Sequence, residues 1–405
     1  MHQLLERLFP ARLGVGFRRL IISSWSAYLG DGFAIAAGPL LVASRTHNAS
    51  LVALALLLQR LPWLLFGLFG GVLADRFNRV KITVFVELVR AGLLLALAAV
   101  ILGGWADISI VLLVLFLLGV AEVFSDTSSN SILPSLVERD DLALGNSRRL
   151  TGVVTLNQLA GPPIGAFLFS LGIAFPFVGQ AILVGFGAVL IARVRLPGRT
   201  ATVAPSHIRA EIMTGFRWII HHGSVRTLLL TIFIFNITFG AAWSLLVLFA
   251  EERLHLGSVG YGILTAAGAV GGIVGTLSYG WLTKKVSLGN ILRVGLIVET
   301  LTHLSFAITT SPVVATVVMT IFGAHAFIWG STSVTVRQRA VPLELQGRVS
   351  SVYSLGLYGG LVIGAALGGL IASRFGVTGA FWFAFYGSGI FVIAIWRQLR
   401  LLVDA

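Results

Sequence analysis

The sequence predicts an all-α membrane protein whose twelve transmembrane helices form two six-helix bundles. Three observations predict this class. The 405 residues are 57% apolar and 11% charged, with a mean hydropathy of +0.94, whereas soluble domains are about 45–50% apolar and about a quarter charged. Apolar stretches near the roughly 20 residues that one crossing needs recur twelve times along the chain. The longest polar stretch divides these twelve stretches six and six.

Charged and turn-forming residues bound the predicted spans. We place the spans at 20–44, 51–74, 80–103, 108–132, 143–172, 176–194, 226–249, 258–283, 288–310, 312–334, 347–373 and 376–396. The predicted organisation is an N-terminal segment, a first bundle, a linker, a second bundle and a tail, at 1–19, 20–194, 195–225, 226–396 and 397–405. Because the number of spans is even, both termini should lie on the same side of the membrane.

The distribution of lysine and arginine over the connections indicates the orientation, because cytoplasmic loops carry an excess of these residues. Over alternate connections, 24 of the 29 lie on one side and 3 on the other, while Arg60 and Arg90 fall inside spans. We therefore expect a multi-pass protein with both termini in the cytoplasm. The net charge of +13 follows from this orientation, so a nucleic-acid partner is not needed to explain it.

The sequence lacks the motifs of several classes of enzyme and pump. The chain has no cysteine, which excludes disulfides and thiolate metal sites. A P-loop needs Gly-Lys-Ser/Thr, but Lys81, Lys284 and Lys285 follow valine, threonine and lysine. Neither His-Glu-x-x-His nor Gly-x-Ser-x-Gly occurs. We expect no metal and no cofactor, and we favour a transporter over a membrane enzyme or a channel.

The linker predicts an amphipathic helix. Its apolar residues recur at helical spacing, with charged residues on the rest of the wheel, as Ile208, Ile212, Phe216, Ile219 and Ile220. Such a helix is suited to the cytoplasmic membrane surface, and its simplest role is a tether between the two halves.

Glycines repeat in corresponding spans of the two halves. Gly161 and Gly165 in span five match Gly360 and Gly364 in span eleven, each pair separated by three residues. Two parallel six-span repeats about an axis normal to the membrane are a transporter architecture in which one half rocks on the other. Glycines at this spacing allow helix backbones to approach closely. Gate helices that open and close need such contact, but static packing is equally compatible with the pattern.

Asp31 is the principal candidate for function. It lies about 11 residues into the first span, or ~16 Å from the cytoplasmic side, and a charge at mid-bilayer costs about 2.5–3.5 kcal/mol on insertion scales. One interpretation is a carboxylate that binds and releases protons as its surroundings change. The other is a buried ion pair with Arg60, which lies at similar depth in the second span. Both hold if the pair breaks during transport.

Other charged residues within spans have candidate partners nearby in the sequence. Glu87 and Arg90, at i and i+3, should pair with each other. Glu299 and His303, at i and i+4, are compatible with a proton relay, although we favour a structural role. His325 fits a hydrogen-bonded core histidine better than a ligand.

Two motifs of the sequence resemble those of a known protein family. The loop Gly71-Val72-Leu73-Ala74-Asp75-Arg76-Phe77-Asn78-Arg79-Val80-Lys81 is similar to the signature loop of the major facilitator superfamily, with Asn78 in place of a glycine and Val80 in place of a basic residue. Asparagine is the next best residue after glycine for a left-handed turn, so we expect such a turn at Asn78. In span five, Gly161-Pro162-Pro163-Ile164-Gly165-Ala166 is similar to an element of the superfamily's exporters. The linker helix and the tract 338–349 resemble bacterial drug, macrolide and siderophore exporters.

The resemblance implies a cytoplasmic gate. In the family pattern Asp126 is a partner of Arg79, and Asp75 caps the start of span eleven, where a helix dipole stabilises a negative charge. The gate residues implied in this way are Gly71, Asp75, Arg76, Arg79 and Asp126. Glu122 lies one turn from Asp126, so we predict that it is either a second site for protons or cationic substrate, or a part of this gate.

The implied function is export by a secondary transporter of the bacterial cytoplasmic membrane. We expect a monomer that exchanges protons, driven by their gradient, for a lipophilic small molecule. Aromatic residues suited to the wall of the substrate cavity are Trp25, Tyr28, Phe33, Phe235 and Trp243, with Trp63 and Trp329. The alternatives are export of a siderophore or a biosynthetic product, or uptake.

Overall fold

The computed structural model describes residues 10–76, 78–196 and 208–400, with only the backbone described at 11, 70–76, 208–209 and 400. All regular elements in these ranges are helices. The first half contains α1 (Gly14–Arg45), α2 (Ala49–Arg76), α3 (Arg79–Leu102), α4 (Ile108–Asn130), α5 (142–171) and α6 (Phe175–Ala192). The linker contains α7 (Ile208–His221). The second half contains α8 (Gly223–Trp243), α9 (Ser258–Lys285), α10 (Leu288–Ile308), α11 (Pro312–Ala340), α12 (Gln346–Phe375) and α13 (Val377–Ile395).

Helices occupy all twelve predicted spans, which confirms the all-α membrane class. In the part of the chain that the structure describes, eleven helices are long and apolar enough to cross a bilayer. The remaining predicted span is α5, which is helical but not uniform. It runs from Leu142–Gly152 through a π-helical segment at Val153–Ala160 into Gly161–Leu171.

The π-helical segment of α5 has a local chemical cause. Pro162 and Pro163 follow it after a single residue, Gly161, and proline has no backbone N–H. The carbonyls of Gln158 and Leu159 therefore lose the donors that an α-helix provides four residues later. Wider turns before the prolines satisfy the backbone in another way, and such turns are frequent at functional sites.

Polar side chains cap the N-terminal ends of α3 and α4, which are consecutive helices of the first half. The side chain of Asn78 accepts a hydrogen bond from the amide of Lys81 at the start of α3. Its φ of −69° is extended, so the left-handed turn predicted for Asn78 is wrong, because the residue acts as a helix cap instead. Asp107 caps α4 by accepting from the amide of Ser109, and this bond lowers the pKa of its carboxyl.

The chain forms two compact units. The first contains residues 10–41 and 65–196. Its core includes Phe17 of α1, Leu133 from the segment after α4, and Ile191 of α6. The second contains the rest of the described chain, including residues 42–64 from the end of α1 and the start of α2.

The placement of residues 42–64 in the second unit differs from the predicted domain organisation, which assigns them to the first bundle. Within the second unit, Ser50 Oγ donates to the carbonyl of Gly369 in α12 at 3.1 Å. Trp63 stacks on Tyr358 of α12 with ring centroids 5.4 Å apart. Gly369 has no side chain, so α12 and α2 approach closely enough for these contacts.

The matching glycines occupy equivalent packing positions in the two halves. In the first unit, a Cβ on Gly161 would lie 2.5 Å from the Cα of Gly32 in α1. In the second, a Cβ on Gly360 or Gly364 would lie 2.5 or 2.2 Å from carbonyl oxygens of α8. Each half therefore packs its fifth span against its first through backbone contact, as the repeat in the sequence indicates. Whether these contacts open during transport remains a prediction.

The linker helix α7 is present as predicted. Gly215 lies against the start of α12, where a Cβ would be 2.6 Å from the carbonyl oxygen of Arg348. Ile219 is buried in a cluster with Val349 and Val352 of α12. The apolar positions of α7 therefore divide between this contact and an exposed side that includes Phe216. Its membrane-surface role stays a prediction.

Alanine substitutions at two glycines of α9 should have opposite effects on stability. A Cβ at Gly271 would lie 1.8 Å from the carbonyl oxygen of Thr320 in α11, whereas at Gly280 it would meet nothing within 4 Å. We expect Gly271→Ala to destabilise the protein by ~1–3 kcal/mol through overpacking. Gly280→Ala should be neutral or stabilise it by up to ~1 kcal/mol through helix propensity. Thermal unfolding of both purified variants in the same detergent measures the difference. Equal midpoints would show that α9 and α11 are not in contact.

Candidate functional site

Asp31 lies in the middle of α1 and is held by two other helices. Its Oδ1 accepts hydrogen bonds from Arg90 Nη2 of α3 and, at 3.0 Å, from Gln180 Nε2 of α6. The Asp31 side chain remains 22% exposed, whereas that of Arg90 is 5% exposed. Asp31 is thus the accessible member of a buried ion pair.

Arg90 binds a second carboxylate. Its Nη1 lies 3.1 Å from both Oε1 and Oε2 of Glu87, one turn earlier in α3, which confirms the predicted pair. Glu87 Oε1 also accepts from Ser125 Oγ of α4. Both Glu87 and Arg90 are buried. A single guanidinium therefore bridges one buried and one accessible carboxylate.

The groups bonded to Asp31 come from α3 and α6 of the first unit, namely Arg90 and Gln180. Arg60 belongs to the part of α2 that packs within the second unit, and its predicted pair with Asp31 stays a prediction.

A wider group of acidic residues surrounds the ion pair. Four carboxylates act electrostatically on Arg90, namely Asp31, Glu87, Glu122 and Asp126. Arg149 of α5 is the second cation, because it acts on Asp126 and donates to Tyr28 Oη at 2.9 Å. We call these six charged residues the acidic cluster. With every group ionised it has a net charge of −2, so it has capacity for protons or for a cation.

The π-helical part of α5 lies directly against the Asp31 segment. Asn157 Nδ2 donates to the carbonyl of Tyr28 at 3.2 Å. A Cβ on Gly32 would lie 2.6 Å from the carbonyl oxygen of Asn157 and 2.8 Å from the Cα of Gly161. The residue after Asp31 therefore lies against the backbone of α5 with no side chain between them.

The predicted gate is described only in part. Arg79 Nη1 donates to the carbonyl of Ser131 at 2.7 Å and lies 3.4 Å from Ser135 Oγ, which ties the start of α3 to the end of α4. Asp126 lies in the acidic cluster, and its pairing with Arg79 stays a prediction. The side chains of the other gate positions lie outside the described residues, namely Gly71, Asp75 and Arg76.

The predicted aromatic wall is corrected at two positions. Phe33 and Phe235 are buried packing residues, Phe33 against Gly179 of α6 and Phe235 against Phe391 of α13. Trp25 and Tyr28 are partly exposed, and both contact α5. Trp243 is also partly exposed and lies in an aromatic cluster with Phe239, Phe306 and Phe322.

Three polar residues of this site were not identified from the sequence. Gln180, Ser125 and Arg149 bond to Asp31, Glu87 and Tyr28 respectively. The sequence did indicate a role for Gln180. It is the single polar side chain within α6, and polar groups inside membranes are costly. Ser125 resembles any small residue that packs between helices.

In the second unit, Glu299 pairs with a different histidine from the one predicted. His325 Nε2 of α11 lies 3.4 Å from Glu299 Oε2 of α10. His303 is fully buried, and its ring lies edge-on to Trp243 at 5.8 Å. The local i, i+4 pair of Glu299 with His303 is thus replaced by a pair between helices.

Comparisons with known proteins found a family that matches nearly the whole chain and several similar proteins. The profile of a family described as transmembrane secretion effector matches residues 7–402. Macrolide efflux protein A of Streptococcus pyogenes is 26% identical over 368 residues, which cover 87% of each chain. Enterobactin exporter EntS of Shigella boydii serotype 4 is 24% identical over 392 residues, which cover 95% of this chain and 92% of that protein.

Solved structures show the same fold. A mutant of the nucleoside transporter NupG matches with a TM-score of 0.78 at 12% identity, covering 95% of this chain and 99% of the other. At such low identity the likeness concerns the fold alone.

Proposed function

Because the chain belongs to the transmembrane secretion effector family of the major facilitator superfamily, we propose that it is a proton-coupled exporter of lipophilic small molecules. Members of the superfamily are transporters and not enzymes, so the chain moves its substrate without changing a covalent bond. We place it in a bacterial cytoplasmic membrane with both termini in the cytoplasm, on the 24 to 3 distribution of basic residues.

The observation that carries this proposal is the shared guanidinium of Arg90. When Asp31 is ionised, Arg90 has carboxylate partners in both Asp31 and Glu87. When Asp31 takes up a proton, Glu87 still compensates the charge of Arg90. Removing one partner from a buried ion pair normally leaves a charge that costs several kcal/mol. The second carboxylate avoids this cost, so Asp31 is able to change its charge during a cycle.

Exposure and charge support the assignment of Asp31 as the exchanging group. Its side chain is the more accessible partner of the pair, and the acidic cluster has two more negative than positive groups. A proton or a lipophilic cation entering near Asp31 therefore finds net attraction. Exchange of a proton for the lipophilic cation at the same carboxylate couples proton movement to substrate movement.

The glycine contacts support alternating access by a rocker-switch motion. Gly32 links the Asp31 segment of α1 to the backbone of α5. Gly360 and Gly364 give α12 the same kind of contact with α8 in the other half. Contacts without side chains permit small shifts between helices, because no rotamers must be rearranged. A proton taken up by Asp31 is thus able to alter the packing of α1 on α5.

A second candidate substrate class has support from the comparisons. The relative from Shigella boydii is named an enterobactin exporter and covers nearly the whole chain. Export of a siderophore or a similar biosynthetic product uses the same proton chemistry at Asp31, whereas only the contacts to the substrate differ. Uptake remains the reverse direction of the same cycle.

The test is a transport assay with the purified protein in liposomes that contain a pH-sensitive dye. Erythromycin, ethidium and enterobactin are added separately, with an imposed pH gradient and with the gradient removed by an ionophore. We expect erythromycin or ethidium to move protons and to accumulate only with the gradient. A response to enterobactin alone would support the second candidate. Transport of a probe without proton movement would overturn proton coupling.

A further inference from the structure

The second unit contains one acidic residue within its membrane-spanning helices. Glu299 is the single Asp or Glu in helices α8 to α13, and it lies 11 residues after the start of α10. At 1.5 Å per residue this position is about 16 Å from that end, near the middle of the bilayer. Intramembrane carboxylates are functional candidates by default, and the exchange at Asp31 makes no use of this one.

We propose that Glu299 and His325 form a second proton-binding site inside the second unit. Glu299 Oε2 and His325 Nε2 are 3.4 Å apart, and their side chains are 13% and 6% exposed. The pair holds a proton either as a carboxylic acid beside neutral imidazole or as a carboxylate beside imidazolium. Both forms are neutral overall, so the pair with one proton suits an apolar location.

Among the described residues of α8 to α13, no further charged side chain forms an ion pair with Glu299 or His325. In α8 the single charged residue is Arg226, near its start, and α13 has none. The titratable groups of α9 are Tyr261, Tyr279, Lys284 and Lys285, and those of α12 are Arg348, Tyr353, Tyr358 and Arg374. On α10 and α11 themselves, the remaining titratable groups are Arg293, His303, Arg337 and Arg339. Loss of the proton therefore leaves an uncompensated carboxylate, which is favourable only when water reaches it.

His303, the histidine of α10, is a buried polar group without a hydrogen-bond partner among the described residues. Such groups are rare in folded proteins, and each calls for a specific explanation. His303 lies one helical turn after Glu299, on the same side of α10. A neutral His303 leaves the proton to Glu299 and His325, which are the two groups in contact.

The transfer between these groups is balanced. The O–H bond of the Glu299 carboxyl breaks as an N–H bond forms on His325 Nε2, which leaves a carboxylate and an imidazolium. The net charge of the two residues is unchanged by this step. When water reaches the imidazolium it takes up the proton, and a proton from water then restores the Glu299 and His325 pair.

Gly295 leaves room for the His325 ring beside Glu299. A Cβ on Gly295, one turn before Glu299, would lie 2.8 Å from His325 Nδ1 and 2.7 Å from Trp329 Cδ1. The glycine thus allows both rings to enter the space beside Glu299. Replacement of Gly295 by alanine should move His325 while leaving all titratable groups in the chain.

Infrared spectroscopy of the full chain in lipid nanodiscs tests the site without any transported substrate. We expect the wild type to show the carbonyl band of a protonated carboxyl in apolar surroundings, decreasing reversibly as the pH rises. Glu299→Gln should remove this band, and His325→Asn and Gly295→Ala should shift its frequency. The matched controls are Glu252→Gln and His255→Asn, which change exposed residues and should leave the band unaltered.

Two results would overturn the proposal. The first is a Glu299→Gln spectrum identical to that of the wild type, which would mean that Glu299 is ionised at every pH. The second is a Glu299 band that does not change with pH. If Glu299→Gln does not fold, the frequency shift in Gly295→Ala decides, because an unshifted band would exclude His325 as its partner.

The contribution of this site to transport rests on the proposed function. In liposomes with erythromycin, Glu299→Gln should reduce the protons moved per erythromycin, while Glu252→Gln should not. If erythromycin moves no protons in the wild type, the proposed function fails, but the infrared result still decides whether the site binds a proton. An unchanged proton ratio in Glu299→Gln would restrict the site to a structural role.

Discussion

Replacement of Asp31 by asparagine is expected to abolish proton-coupled export. Asparagine has nearly the shape of aspartate, and its side-chain oxygen is able to accept from Arg90 and Gln180 as Asp31 does. It cannot bind and release a proton in the accessible range. In liposomes with an internal pH dye, substrate-driven proton movement should fall to the level of protein-free liposomes. The protein should remain folded, because Glu87 still compensates Arg90.

The matched control for this prediction is Asp140→Asn, an exposed carboxylate in the same unit. It should transport protons as the wild type does. Proton movement in Asp31→Asn at the wild-type rate would show that another group, with Glu122 the first to examine, exchanges the proton. Loss of folding in Asp31→Asn would instead show that the charge of Asp31 is needed for stability.

Replacement of Arg90 by glutamine is expected to cause the largest loss of stability of any single charge change in the first unit. Arg90 is buried and bonds both Asp31 and Glu87, so its removal leaves carboxylates without their cation. Breaking a buried ion pair in this way costs ~3–5 kcal/mol. Thermal unfolding in a fixed detergent should show a clearly lower midpoint. Lys81→Gln, an exposed basic residue of the same helix, should change it little.

A second variant separates charge from packing at Arg90. The double substitution Glu87→Gln with Arg90→Gln removes one of the uncompensated carboxylates. We expect it to unfold at a higher temperature than Arg90→Gln alone, because residues in one ion-pair network are not additive. An equal or lower midpoint in the double variant would mean that Arg90 stabilises the unit mainly through its aliphatic stem and not through Glu87.

Features with a local cause could be predicted from the sequence. The spans follow from apolar length, and helices occupy all twelve of them. The pair of Glu87 with Arg90 follows from their spacing in one helix. The amphipathic pattern of the linker predicts the helix at Ile208–His221. Each of these depends on neighbours within about two turns, which the sequence contains in full.

Features that depend on the facing directions of separate helices could not be predicted in this way. Within the first unit, the partner of Asp31 is Arg90, which lies 59 residues away in the sequence. Glu299 pairs with a histidine 26 residues away in place of the one a turn along. Phe33 and Phe235 are aromatic residues of the kind that line a cavity, but they are buried against neighbouring helices.

The sequence by itself determined which residues carry charge into the membrane, how many helices carry them, and which spans of the two halves correspond. Only the tertiary structure decided the partners, namely Arg90 and Gln180 for Asp31, and His325 for Glu299. The physical reason is that hydrophobicity and helical spacing are properties of a single segment. An ion pair between helices depends on the rotation and separation of two segments, and these are set by packing over the whole unit.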